Sequence, residues 1–209
     1  LQRRQNVALT IFCLFSVRRE NVEIKIGIAK TNKYAVSHCG DSVEVAERPQ
    51  GGISIVLADG QGSGKAAKNT SSLVVNKAAA LIADGARDGT VARAVHDYLY
   101  ALKDGKVSST LTLLSADLDT STVVISRNSN CPVIIRTEFY THVYDEDVNP
   151  IGVHRRMKPI MYQMPLELGM ILVSYSDGIQ AAGRKRGRQM NFNKILKIIE
   201  DNKADDVNF

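Results

Sequence analysis

The chain has 209 residues, 44% apolar and 23% charged, with 27 Lys and Arg against 22 Asp and Glu, a formal charge of +5. That length supports one sizeable core and is marginal for two. The apolar fraction excludes a disordered or collagen-like chain, and no run approaches the ~20 apolar residues that span a bilayer. The basic excess gathers in Arg184, Lys185, Arg186 and Arg188 and in the pairs Arg3-Arg4 and Arg18-Arg19. Trp is absent, and Phe and Tyr do not interleave with these clusters as a base-stacking surface requires, so no nucleic-acid partner is expected. Cys13, Cys39 and Cys131 make neither a C-x-x-C pair nor a disulfide framework, which fits a reduced, cytoplasmic setting. His38, His96, His142 and His154 lack ligand spacing and read as surface or packing residues.

Residues 1–21 read as an N-terminal segment or linker, and residues 22–209 as one domain. Within the first, Val7 to Val17 is apolar and fits both a strand and a helix period, and Arg18-Arg19 stands where a signal peptide would need small residues. Val22 to Ala29 alternates as a strand, and Tyr34 to Ser37 and Ser42 to Ala46 read as two short ones. Gly51 to Ala58 is a continuous β-branched run, the pattern of a fully buried strand, and it ends in Asp59-Gly60.

The spacing predicts a helix over 65–83, burying Ala67, Ser71, Val74, Ala78, Leu81 and Ile82. A second over 90–102 buries Val91, Val95, Tyr98 or Leu99, and Leu102. Strands are expected over Val107 to Ala116, Thr122 to Ser126 and Cys131 to Arg136. Lys158 to Met164 and Met170 to Ser176 read as a hairpin around Glu167-Leu168-Gly169. A last helix, Phe192 to Asp201, buries Ile195, Leu196 and Ile199. Helices do not alternate with strands, so the fold class is α+β with mainly antiparallel sheets.

The loop Asp59-Gly60-Gln61-Gly62-Ser63-Gly64-Lys65 sits between a strand and a helix, where nucleotide loops occur. A P-loop fails at two positions: Asp59 replaces the first glycine, and Ala66 replaces the metal-binding hydroxyl. A dinucleotide fingerprint fails at Lys65. The more telling feature is recurrence. Gly52 to Ala58 ends in Asp59-Gly60, and Gly169 to Ser176 ends in Asp177-Gly178. Asp41 follows Gly40 between short strands, and Asp205-Asp206 follows the last helix. An isolated Asp-Gly is usually a turn. If these carboxylates converge, each pair repels by about 4 kcal/mol at ~4 Å and an effective dielectric of ~20, so a site of that kind requires cations. Oxygen ligands without His or Cys favour Mg²⁺ or Mn²⁺.

At these residues the sequence resembles the metal-dependent PPM protein phosphatases, closest to the bacterial subgroup of the stage II sporulation protein E and sigma-regulator phosphatases. The matching pieces, in family order, are SHCGDS (37–42), ADGQGSGKAA (58–67), SSTLTLLSADL (108–118), NCPVIIR (130–136), NPIGV (149–153), LVSYSDGI (172–179) and ADDV (204–207). The resemblance implies a four-layer αββα sandwich with two divalent cations, Mn²⁺ or Mg²⁺. Asp59 then resembles the carboxylate that bridges both metals, the Gly60 carbonyl a ligand of one and Asp177 a ligand of the other. Asp205, with Asp206 as the alternative, supplies a further ligand, and Asp41 holds the second metal directly or through water. The family chemistry is in-line attack by a metal-activated water, catalysed through Asp59 and Asp177, without a protein nucleophile. Lys65 is a candidate for steering the phosphoprotein. Ser63 is expected to cap the helix, and Ser109 carries no assigned role. Thr141 to Asn149 and the Arg184 to Arg188 run are read as loops.

The family continues after the Asp-Asp pair with a buried strand, whereas Val207-Asn208-Phe209 follow here, so a C-terminal strand is expected to be missing. The implied activity is hydrolysis of phosphoserine or phosphothreonine on a regulatory protein, such as an anti-sigma-factor antagonist, with a homodimer allowed for. The competing readings are a catalytically weak docking module of the same fold and a nucleotide-binding domain using the glycine loop.

Overall fold

In the computed structural model, the described residues are 12–17, 24–30, 39–184, 187 and 190–201. They form two compact units. Asp205, Asp206, Lys185, Arg186, Arg188 and the strand expected at Tyr34 to Ser37 lie outside the described residues.

The first unit contains strands β1 (Phe12–Val17), β2 (Ile24–Ala29), β7 (Val133–Arg136), β8 (Thr141–Tyr144) and β10 (Ile171–Ser174) in the order β2-β1-β10-β7-β8. All four pairings are antiparallel. The described part of the apolar N-terminal run, which fits two periods, is strand β1, between β2 and β10. Helices α3 (Asp177–Gln180) and α4 (Phe192–Asp201) complete the unit. One face of the sheet, with Ile134, Ile171 and Val173, packs with Tyr175, Ile179 and Ile199; Phe192, Ile195 and Leu196 are only partly buried against it.

The second unit contains β3 (Asp41–Glu47), β4 (Gly52–Asp59), β5 (Leu111–Asp117), β6 (Thr122–Asn128) and β9 (Ile160–Pro165), antiparallel in that order. Helices α1 (Gly64–Ala83) and α2 (Asp88–Lys103) cover one face. Val56, Ala58, Leu111 and Leu113 meet Val74, Ala78, Ile82, Val91, Val95 and Leu99 there. Ile55, Leu57, Leu114 and Ile125, on the alternate face, are buried as well. Burial on both faces is why Gly51 to Ala58 reads as an unbroken apolar run. On α2 it is Leu99 that is buried, while Tyr98 and Leu102 are exposed.

Two strand expectations fail. The segments on either side of Glu167-Leu168-Gly169 do not form a hairpin: β9 pairs with β6, and β10 pairs with β1 and β7 in the other sheet. The burial patterns carry the reason. Along β9, half-buried and exposed residues alternate and a proline ends the strand, which suits an edge. The four residues of β10 are all buried, which suits a central strand. The segment read as a loop from Thr141 contains β8, which extends the first sheet at its edge.

Candidate active site

The acidic site is assembled from one end of the second sheet. In the β3–β4 register Asp41 stands directly opposite Asp59. Side chains opposite each other in an antiparallel pair share a face with Cβ atoms about 5 Å apart. The glycines flanking them make this approach feasible. A Cβ on Gly60 would lie 2.1 Å from the Ala67 carbonyl oxygen of α1, and one on Gly40 would lie 3.1 Å from Asp59 Oδ1. The Gly60 amide donates to the Gly40 carbonyl at 3.3 Å. The first turns of α1 therefore press against the backbone that carries both carboxylates.

The backbone of Asp59 is held on both sides. Its amide donates to Thr110 Oγ1 at 2.9 Å. Its carbonyl accepts from the Thr110 amide at 2.9 Å and from Ser109 Oγ at 2.8 Å. Gly60 pairs with Ser109 as an isolated bridge, and Ser109 pairs in turn with Ile151. Ser109, given no role by the sequence, is thus a support of the site.

Lys65 is exposed on α1. One turn on, Lys68 Nζ donates to the Asp41 carbonyl at 2.9 Å and to Ser42 Oγ at 2.7 Å, with Ser42 Oγ also within 2.8 Å of Ser71 Oγ. Ser63 occupies the N-cap position of α1, but its side chain makes no capping bond.

Asp177 belongs to the first unit. It is exposed in the first turn of α3, directly after the buried Tyr175 and Ser176 that follow β10. Burial raises the Tyr175 hydroxyl pKa, so it stays neutral. Among the described residues no three His, Cys, Asp or Glu side chains gather as a metal cage. Asp41 and Asp59 are the acidic pair brought face to face, with the Gly60 carbonyl beside them. This all-oxygen donor set fits a hard divalent cation.

Beside the glycine loop lies a cleft of about 500 Å³ lined by Gln61, Gly62, Asn69, Thr70, Lys103 and Lys106, with Ala66 and Val107. Gln61 Oε1 accepts from the Ser108 amide at 2.9 Å, which ties the glycine loop to the segment before β5.

Two buried networks escaped sequence reasoning. Arg127 is fully buried; its Nη1 donates to Glu146 at 2.9 Å and its Nη2 to the Ser129 carbonyl at 3.0 Å. Tyr162 donates to the other Glu146 oxygen. The Tyr162 hydroxyl holds the Glu146 carboxyl below its ordinary value; desolvation opposes it, and a backbone hydrogen bond and Arg127 add lesser lowering effects. The second network contains His96, which is 3% exposed, and whose Nδ1 accepts from the Gly152 amide at 3.1 Å. Desolvation lowers the His96 pKa, and nearby Asp97 opposes that shift.

The Stage II sporulation protein E (SpoIIE) family matches residues 49–208, most of the chain. The chain belongs to the SpoIIE family. The match spans Asp59, Gly60, Asp177, Asp205 and Asp206. No curated protein sequence matches the chain. Among solved structures it is similar to the PP2C phosphatase domain and regulatory-domain fragment of the cell fate determinant SpoIIE from Bacillus subtilis. Identity is 18% and the TM-score 0.67, over 96% of this chain and 55% of that one. The chain thus spans about half the length of that relative. It is also similar to the serine/threonine phosphatase Stp1 from Staphylococcus aureus, at 11% identity and TM-score 0.60, over 96% of this chain and 93% of that one. A third is the structure of the RsbU and RsbW domains of Rv1364c from Mycobacterium tuberculosis, at 16% identity and TM-score 0.60, over 84% and 45%. This SpoIIE-family chain has the PP2C phosphatase fold, an α+β architecture with two antiparallel sheets. Among the described residues no helix is long and apolar enough to cross a membrane.

Proposed function

We propose that the domain hydrolyses phosphoserine or phosphothreonine esters on a regulatory protein, using two divalent cations, Mn²⁺ or Mg²⁺. The observation that carries this reading is the face-to-face pair Asp41 and Asp59, with the Gly60 carbonyl beside it, in a chain of the SpoIIE family. The ligands would be Asp41, Asp59, the Gly60 carbonyl, Asp177 and one of Asp205 and Asp206. When bound, the cations would supply an activated water and neutralise phosphoryl charge.

The rest of the work falls to the chain's own groups. Thr110 and Ser109 fix the Asp59 backbone, so its carboxylate is presented without a reorganisation step. Lys68 draws the Asp41 strand against α1 and places a positive charge near two negative ones. The cleft with Lys103 and Lys106 suits acidic residues around a phosphorylated site; the resemblance to sigma-regulator phosphatases makes an anti-sigma-factor antagonist the proposed partner class. In that role the domain works in the cytoplasm.

The test is turnover of p-nitrophenyl phosphate and of a phosphoserine peptide, with Mn²⁺ and with EDTA. Turnover should require the metal and vanish in Asp59→Asn and Asp177→Asn. Failure of the wild-type chain to bind Mn²⁺ or to turn over either substrate would sink the proposal.

A further inference from the structure

The sequence motif NPIGV (149–153) has no assigned task in the chemistry above, and the buried His96 has none either. The structure joins them. Gly152 sits at φ +96°, where a Cβ would come within 2.5 Å of the Val107 carbonyl oxygen and 2.6 Å of Leu99 Cδ2. The loop is thus wedged against α2 with no side chain between them, and the Gly152 amide points at His96 Nδ1. The neighbouring Ile151 is fully buried. It exchanges two backbone bonds with Ser109, of 3.0 and 2.9 Å. Ser109 then holds the Asp59 carbonyl and bridges Gly60.

We infer that His96 is a positioning residue for the acidic site: by accepting the Gly152 amide it fixes the 149–153 loop and, through the Ile151–Ser109 bridge, the backbone of Asp59 and Gly60. The catalytic consequence rests on the function proposed above; the mechanical one does not. The Gly152 amide is buried and donates to the His96 ring, and a buried amide left without an acceptor is costly enough to shift the loop. Only an imidazole with a lone pair on Nδ1 can accept, so the proton resides on Nε2. The groups facing the ring agree with that state. From α2 come Asp97, with its carboxylate 4.0 Å from Nε2, and Tyr100, stacked at 6.0 Å; from the loop comes His154, whose backbone also hydrogen-bonds the ring. Burial disfavours the charged ring more than Asp97 favours it.

The test compares the wild-type chain with His96→Asn, whose Oδ1 can replace the acceptor without titrating, and His96→Leu, which has no acceptor. The first readout is amide hydrogen exchange. Exchange at Ile151, Ser109 and Gly60 should quicken at least about tenfold in His96→Leu and stay near wild type in His96→Asn. The second is turnover of p-nitrophenyl phosphate with Mn²⁺. In His96→Leu kcat should fall about tenfold or more with KM little changed, as expected for a small misplacement of the reacting groups, and His96→Asn should recover most of it. Wild-type kcat should also decline on acidification more steeply than that of His96→Asn, and below the ordinary imidazole range, because burial lowers the His96 pKa in the fold. If His96→Leu does not fold, quickened exchange at Ser109 and Gly60 in acidified wild type but not in His96→Asn decides the matter. Unchanged exchange at Ser109 and Gly60 with a quickened Gly152 would overturn the inference, as would equal loss of turnover in the Asn and Leu variants. A wild-type chain with no metal-dependent turnover refutes the phosphatase proposal instead, and the exchange result still judges His96.

Discussion

Removing one charge from the Asp41–Asp59 pair should reverse the order of stability depending on the metal. The two residues are opposite partners at the ends of β3 and β4, and Asp41 is 5% exposed, so water screens them poorly. At about 5 Å and an effective dielectric near 20, two unit charges repel by roughly 3 kcal/mol. Lys68, bonded to the Asp41 carbonyl, offsets part of this. Asp59→Asn keeps the backbone bonds to Thr110 and Ser109, so its effect should be almost purely electrostatic. A gain of about 1–2 kcal/mol is expected in EDTA, or several degrees in Tm for a domain of this size. Saturating Mn²⁺ should stabilise the wild type by about 2.7 kcal/mol at a hundredfold excess over Kd and the variant far less, which inverts the order. Paired urea melts in EDTA and in Mn²⁺ read both arms. An Asn variant less stable than wild type in EDTA, or equal metal stabilisation of both proteins, would refute the reasoning.

Gly60→Ala should cost more than about 3 kcal/mol, because its Cβ would meet α1 backbone at 2.1 Å and backbone cannot swing aside; a melt close to wild type would contradict that contact. Lys68→Met should lower stability by about 1 kcal/mol and weaken turnover, by loosening the Asp41 strand; calorimetry and p-nitrophenyl phosphate kinetics check both. The His96 pKa is lowered in the fold, so the unfolded chain binds more protons as pH falls through about 6.5. Stability should therefore be complete above that pH and fall below it. His96→Asn should flatten that part of the profile in pH-dependent melts. Tyr162→Phe should raise the Glu146 pKa toward its ordinary value, as read by carboxyl carbon NMR; no movement would show that the Tyr162 hydroxyl does not hold it.

What the sequence revealed was local. The periodicity of 65–83 marks α1, because one face of that helix packs on the sheet through Ala67, Val74, Ala78 and Ile82. Phe192 to Asp201 marks α4 at the observed limits. Asp59-Gly60 stands out because the same ending recurs at Asp177-Gly178, whereas Asp41 was singled out as a Gly-Asp between short strands. What escaped depends on partners far along the chain. Arg127 looks like an ordinary strand residue until Glu146 and Ser129 enclose it. His96 and Ser109 acquire their tasks from Gly152 and Ile151, and Lys68 from Asp41. Strand partnership behaved in the same way. Proximity along the chain suggested a hairpin of β9 and β10, while two-sided burial placed β10 in another sheet.

The strand order of the first unit also bears on how the chain acquires its fold. The second unit is drawn from two stretches, 40–130 and 146–166, and most of its strand pairs are neighbours along the chain. The first unit joins three stretches, and its centre pairs Cys13 with Ser174. That sheet cannot close during synthesis until β10 has left the ribosome, whereas β3 to β6 with α1 and α2 can assemble beforehand. Until then β1 and β2 stand as a hairpin with an open edge, the part of the nascent chain most exposed to wrong pairing.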